Sequence, residues 1–76
     1  MKVNDKIQVK YESDYVKANS KWKPGRVAAI TKHMIIVQHK NYKEAYKKTD
    51  ILSDGWVNMK LWDGNNWTKV NKKVIN

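Results

Sequence analysis

The residues able to do chemistry in this chain are few, and their spacing argues against catalysis. His33 and His39 lie six apart, which puts both on one side of a regular strand but about 20 Å from each other at roughly 3.3 Å per residue. That is too far to share a metal ion, and two partly exposed imidazoles are expected. Five of the seven carboxylates, Asp5, Asp14, Asp50, Asp54 and Asp63, fall at expected strand ends or turns, where short acidic side chains cap backbone donors. No acid is paired with a base. Gly25, Gly55 and Gly64 are the only glycines, so no glycine-rich phosphate loop exists. Without cysteine there is neither a thiolate metal site nor a disulfide framework, and a reducing compartment is compatible. The expectation is a protein that is not an enzyme and that takes no metal and no cofactor.

What remains is binding chemistry. Sixteen Lys and Arg stand against seven Asp and Glu, a net charge of +9, beside four Trp and four Tyr. The excess is even: residues 1–38 hold eight basic and three acidic side chains, residues 39–76 eight and four. Such a surface attracts phosphate by counterion release, and aromatic faces among lysines offer stacking platforms for bases. An AT-rich genome also favours Lys and Asn, which gives the charge a second origin.

Two basic-aromatic clusters carry the polyanion reading. The first is Lys21, Trp22, Lys23 and Arg26 around Pro24-Gly25, where Arg26 offers a planar fork for phosphate and Trp22 an adjacent ring; Trp22 as cover for one end of the fold is the alternative. The second is Lys40, Tyr42, Lys43, Tyr46, Lys47 and Lys48, with Glu44 its single acid. If both tyrosines face solvent they form a platform between phosphate anchors, although packing claims one of them. A third feature is the stripe Trp56, Asn58, Lys60, Trp62, opposite the apolar stripe Val57, Met59, Leu61. Either Trp56 and Trp62 cover a second small core with Trp67, or they form an exposed patch for a partner.

The elements that must position these groups are strands. Lys6 to Glu12 alternates, with Ile7, Val9 and Tyr11 on one face. Ser13 to Lys23 reads as a long loop closed by a break at Pro24-Gly25, and Arg26–Thr31 and His33–Gln38 as a hairpin turning at Thr31-Lys32-His33. Asn41 to Leu52 admits two readings, a helix that sets Tyr42 and Tyr46 four apart or a short strand at Glu44-Ala45-Tyr46, and a strand ending in a 3₁₀ turn at Thr49-Asp50-Ile51-Leu52 is favoured. Asp54-Gly55 breaks the chain, Gly55 to Trp62 alternates again, and Asp63-Gly64-Asn65-Asn66 reverses it so that Trp62 and Trp67 face one another. Asn71–Asn76 reads as a closing strand or a frayed end. At 76 residues the whole chain is expected to be one domain, burying roughly 60% of its unfolded surface.

This order resembles the SH3-like small barrel in its Tudor and KOW-like branch. The resemblance covers about residues 4–52 and rests on Asp5-Lys6-Ile7-Gln8-Val9-Lys10-Tyr11, Trp22-Lys23-Pro24-Gly25-Arg26-Val27-Ala28-Ala29-Ile30, Met34-Ile35-Ile36-Val37 and Thr49-Asp50-Ile51. It implies an all-β barrel of five or so short antiparallel strands, here extended by a Trp-rich C-terminal hairpin. It also implies partners among RNA, DNA, methylated side chains or peptides, with Tyr11, Trp22 and Tyr42 as the nearest candidates for a methylammonium cage.

The function expected is therefore nucleic-acid binding through Lys and Arg phosphate contacts and aromatic stacking. The alternative is a small phage or mobile-element module that docks on a host protein and modulates it through Trp56, Lys60 and Trp62. The longest apolar runs, Val27–Ile30 and Met34–Val37, are four residues each, far short of the roughly 20 that span a bilayer. The opening residues Met1-Lys2-Val3-Asn4-Asp5-Lys6 lack the apolar stretch of a secretory signal. A cytoplasmic protein is expected.

Overall fold

The structure, a computed structural model, describes residues 1–11, 21–52 and 56–75. Six antiparallel strands form one sheet: β1 (Lys6–Tyr11), β2 (Lys23–Ile30), β3 (Met34–Gln38), β4 (Lys43–Lys47), β5 (Val57–Trp62) and β6 (Trp67–Lys69), in the order β4-β3-β2-β1-β5-β6. A single helical turn, α1 (Lys48–Leu52), lies between β4 and β5, and a second, α2 (Lys72–Ile75), follows β6. Residues 13–20 of the expected long first loop and the Asp54-Gly55 break fall outside the described residues, and the loop's last expected residue, Lys23, opens β2.

One face of the sheet is the core. Ile7 and Val9 of β1, Val27 of β2, Ile35 and Val37 of β3, Tyr46 of β4, and Val57 and Met59 of β5 are buried together with Ile51, Val70 and Ile75 from the helical turns and their approaches. β1, β3 and β5 each bury every second residue, as a half-buried pleat requires, while β2 and β4 add one buried residue each and β6 adds none. In β2 the inward residues Val27 and Ile30 are three apart, yet they pair with Val37 and Ile35, which are two apart; the irregularity between Val27 and Ala29 absorbs the extra residue. Gly25 is needed where β2 crosses close to β3, because a Cβ there would stand 2.6 Å from Val37 Cγ1 and 2.9 Å from the Gln38 carbonyl oxygen.

Three expectations change. Pro24-Gly25 does not break the chain but lies inside β2, with Gln8 opposite Pro24 and Ile7 opposite Gly25. Pro24 precedes the first β2–β3 pair, Arg26 with Gln38, so its missing N–H interrupts no ladder on that side. The turn after β4 is α-helical, not 3₁₀, and begins at Lys48, whose N–H donates to the His33 carbonyl at 2.8 Å. The chain end forms α2 instead of a closing strand: Asn71 Oδ1 accepts the Val74 N–H at 3.1 Å as an N-cap, and Ile75 turns into the core. The expected all-β fold of five or so short antiparallel strands with a C-terminal Trp hairpin is present, as six strands among the described residues with β4 and β6 at the edges of the sheet.

Candidate nucleic-acid interface

The outward face of the sheet collects the cations and the tryptophans. Alternation points Lys6, Gln8 and Lys10 of β1 away from the core, and the register sets Lys6 opposite Arg26, Gln8 opposite both Pro24 and Lys60, and Lys10 opposite Asn58. Across β5–β6, Lys60 faces Lys69 and Trp62 faces Trp67. Lys6, Lys10, Arg26, Lys60 and Lys69 therefore share one surface with Trp62 and Trp67. Glu44 is the only carboxylate in all six strands, and it pairs with the inward Val37. The outward strand positions hold no negative charge.

Trp22, just ahead of β2, lies over this surface, with Lys60 Nζ 4.5 Å and Lys10 Nζ 5.9 Å from its ring centroid. Lys6 Nζ stands 6.0 Å from the Trp62 ring, and Trp62 and Trp67 meet at 5.3 Å with their planes 57° apart. Ammonium groups at such distances are held by the ring quadrupole without losing their charge. Arg26 is steadied from behind: Asn4, in the left-handed region at φ 77°, presents its carbonyl to Arg26 Nη1, which donates to it at 3.1 Å. Beside Arg26 a surface groove of about 320 Å³ opens between Lys6 and Lys40, with Gly25 and His39 in its wall.

The Trp62–Trp67 hairpin ends in an acidic turn. Asp63 Oδ1 accepts the N–H groups of Asn65 and Asn66 at 2.8 and 2.7 Å, and Oδ2 accepts the Thr68 hydroxyl at 3.4 Å. Those backbone donors hold the Asp63 carboxyl below the ordinary carboxylate value of 3.8. Gly64, at φ 103°, makes the reversal possible.

The second predicted cluster divides. Tyr46 is 2% exposed and belongs to the core, because it pairs with inward Ile35; it is no stacking platform. His39, expected to be partly exposed, is 4% exposed. Its Nδ1 donates to the Pro24 carbonyl at 2.9 Å and its Nε2 meets the Tyr46 hydroxyl at 2.8 Å, while that hydroxyl donates to Glu44 Oε2 at 2.6 Å. Burial first, and then Glu44, raises the pKa of Tyr46 above the ordinary tyrosine value and pushes Tyr11 up to about 12. Tyr42 is exposed but stacks on His39 at 4.8 Å. Lys43 and Lys47 remain exposed and outward, opposite Gln38 and Met34; Lys40 is exposed and Lys48 half-buried.

In the first cluster Lys21, Lys23 and Arg26 are exposed and Trp22 is half-buried. Lys23 points to the inner side, 5.9 Å from the Tyr11 ring, away from Arg26. The third feature resolves toward exposure: Trp56 is 60% and Trp62 37% exposed, with Lys60 between them and half-buried. Of the three candidate cage residues, Tyr11 and Tyr42 flank the Tyr46–His39 pair, Tyr11 against Tyr46 and Tyr42 against His39, whereas Trp22 lies under lysines on the opposite face. Reading the sequence cluster by cluster left out Lys6, Lys10, Trp67 and Lys69. The signal that could have found Lys6 and Lys10 is the β1 alternation itself, whose polar stripe is as regular as its apolar one, whereas Trp67 and Lys69 reach this face through the β5–β6 pairing.

Among the described residues no group of three or more His, Cys, Asp and Glu could hold a metal ion, and no helix is long and apolar enough to cross a membrane. No family model matches the chain, and neither curated proteins nor solved structures show significant similarity to it.

Proposed function

We propose that this chain is a non-enzymatic nucleic-acid-binding module of the SH3-like small-barrel type, working from the outward face of β2-β1-β5-β6. The observation that carries the reading is charge segregation. Five cations and three tryptophans share a face on which no strand position is acidic, while the single strand carboxylate, Glu44, is turned inward to Tyr46. Lys6, Lys10, Arg26, Lys60 and Lys69 supply phosphate contacts, and Trp22, Trp62 and Trp67 supply rings for stacking. The one-turn helix between β4 and β5, and the return of β5 to pair with β1, support the small-barrel assignment.

The test is a titration with a fluorescently labelled oligonucleotide from 50 to 200 mM salt. Five phosphate contacts give a slope of log K against log salt of about −3.5 for a single strand or −4.5 for a duplex. The exposure of Trp56 and Trp62 favours one second reading, a protein partner, such as a host protein, docked on the same tryptophans. A salt-insensitive interaction centred on those rings would favour it over the nucleic-acid reading.

A further inference from the structure

We infer that the nucleic acid taken by this face is single-stranded and lies across the strands. The inference rests on the nucleic-acid reading above and narrows it to one substrate class.

The register builds a continuous row across the sheet: Trp67 faces Trp62, Lys6 reaches the Trp62 ring, Lys6 faces Arg26, Arg26 faces Gln38, and Gln38 faces Lys43. Every member is outward. The row begins with two rings, continues with two cations beside the groove that Lys40 flanks, and ends on an amide and a lysine. Such an order suits a chain whose bases stack at one end while its phosphates follow the cations toward the other. Five inter-strand steps of roughly 4.8 Å make the row about 24 Å long. At no less than about 3.4 Å per phosphate, it accommodates at most about seven nucleotides.

Three features disfavour a duplex on the same surface. Ring faces are useful only to bases whose own faces are free, and pairing and stacking hide them. A duplex is read by inserting a helix or a two-stranded ribbon into a major groove about 12 Å wide. Among the described residues the helices have five and four residues, and the row is twice as wide as that groove. The β5–β6 hairpin is a ribbon, but its tip is Asp63, held ionised by the N–H groups of Asn65 and Asn66, and a leading carboxylate is repelled by converging phosphates.

The experiment compares three probes on the intact chain at one salt concentration: oligothymidylates of 3, 6 and 12 nucleotides, a 12-base-pair mixed duplex, and inorganic polyphosphate. Tryptophan emission and anisotropy are read together. The expected result is that the 12-mer single strand binds at least about 10-fold tighter than the duplex, quenches tryptophan emission, and gains little beyond about seven nucleotides. Trp62→Leu, at an exposed position, should lose roughly 10-fold on the single strand, the order of one base–aromatic stack, and under 2-fold on duplex or polyphosphate. Trp67→Leu provides the same measurement at the row's second ring, and circular dichroism reports whether each variant is folded. Equal affinity for single strand and duplex, or folded Trp variants with unchanged oligonucleotide affinity, would overturn the single-strand inference and leave nucleic-acid binding standing. Failure of every probe to bind would remove both.

Discussion

Lys60 and Trp22 meet over the top of β1: the ammonium of a β5 residue sits 4.5 Å from the centroid of a ring that leads into β2, although β5 and β2 are not neighbours in the sheet. The contact ties the two strands flanking β1 together on the outward face, and it sets a cation and an aromatic plane side by side on the face proposed to take nucleic acid. Replacing Lys60 by Met keeps the stem and removes the charge. Stability should fall by no more than about 1 kcal/mol, the range of an exposed cation–π pair. The salt slope of nucleic-acid binding should lose roughly 0.7 to 0.9. A melting curve and a salt titration on one sample check both, and an unchanged slope would take Lys60 out of the interface.

Gly25 offers a test of the fold itself. An added Cβ would stand 2.6 Å from Val37 Cγ1 and 2.9 Å from the Gln38 carbonyl oxygen, and backbone cannot give way as a flexible side chain does. Gly25→Ala is expected to cost on the order of 1 to 3 kcal/mol through overpacking, seen as a melting temperature lower by about 5 °C or more. An unchanged melting temperature would mean that β2 and β3 are not so close.

The buried chain from His39 through Tyr46 to Glu44 predicts an alkaline transition. Tyr46 and Tyr11 both have folded pKa values raised above the unfolded value of 10.0, chiefly by burial. Each therefore contributes stability that is fully present below pH 10 and is lost as pH rises through 10 toward the folded value, which for Tyr11 is about 12. Ultraviolet absorbance at 295 nm should show their ionisation coinciding with loss of near-ultraviolet circular dichroism. Tyr46→Phe should cost about 1 to 3 kcal/mol at neutral pH, because His39 and Glu44 lose a buried partner, and should leave nucleic-acid affinity unmoved once folded. Weakened binding by a folded Tyr46→Phe would return that residue to the interface.

The division between what could be read from residue order and what could not follows the pleat. Ile7, Val9, Val57 and Met59 announce their strands because strict alternation has one structural explanation, and the Trp62–Trp67 pairing follows from a turn that Gly64 and its Asn and Asp neighbours permit. Tyr42 and Tyr46 could not be told apart in the same way. Their exposure depends on where β4 begins, and a start at Lys43 sends Tyr46 inward beside Ile35 while leaving Tyr42 in the turn. Pro24-Gly25 misleads for a related reason: proline breaks a ladder only where a partner needs its N–H, and β3 pairing starts after it. The candidate site is half legible in the sequence. Local clusters revealed Trp22, Arg26, Lys60 and Trp62, whereas Lys6, Lys10 and Lys69 join them only through the pairing of β1 with β5 and of β5 with β6.

Asp63 gives the opposite pH response. Its folded pKa is depressed below 3.8 by the backbone N–H groups of Asn66 and Asn65. It therefore contributes stability that is present above the unfolded value and is lost as pH falls through the folded one. Melting temperatures between pH 6 and pH 2 should fall less steeply for Asp63→Asn than for the parent chain. The Asn side-chain oxygen can still accept from the turn but does not titrate. Identical pH profiles for the two proteins would mean that the Asx turn does not select the ionised form.

The Trp62–Trp67 pair separates stability from recognition. Both rings stand opposite one another across β5–β6, 5.3 Å apart and tilted by 57°, a geometry worth about 0.5 to 1.5 kcal/mol beyond area burial. They differ in what else they touch. Trp62 is 37% exposed and lies beside Lys6, whereas Trp67 is half-buried at the sheet edge. Trp67→Ala removes the more covered ring and should approach the cost of a large-to-small change, about 3 kcal/mol. Trp62→Ala should cost little more than the pair term, roughly 1 kcal/mol, while losing about 1 to 3 kcal/mol of binding to a single strand. Melting and affinity measured on both variants distinguish the roles. Equal melting losses, with Trp62→Ala binding as tightly as the parent, would make the hairpin a structural clasp and move recognition to Trp22.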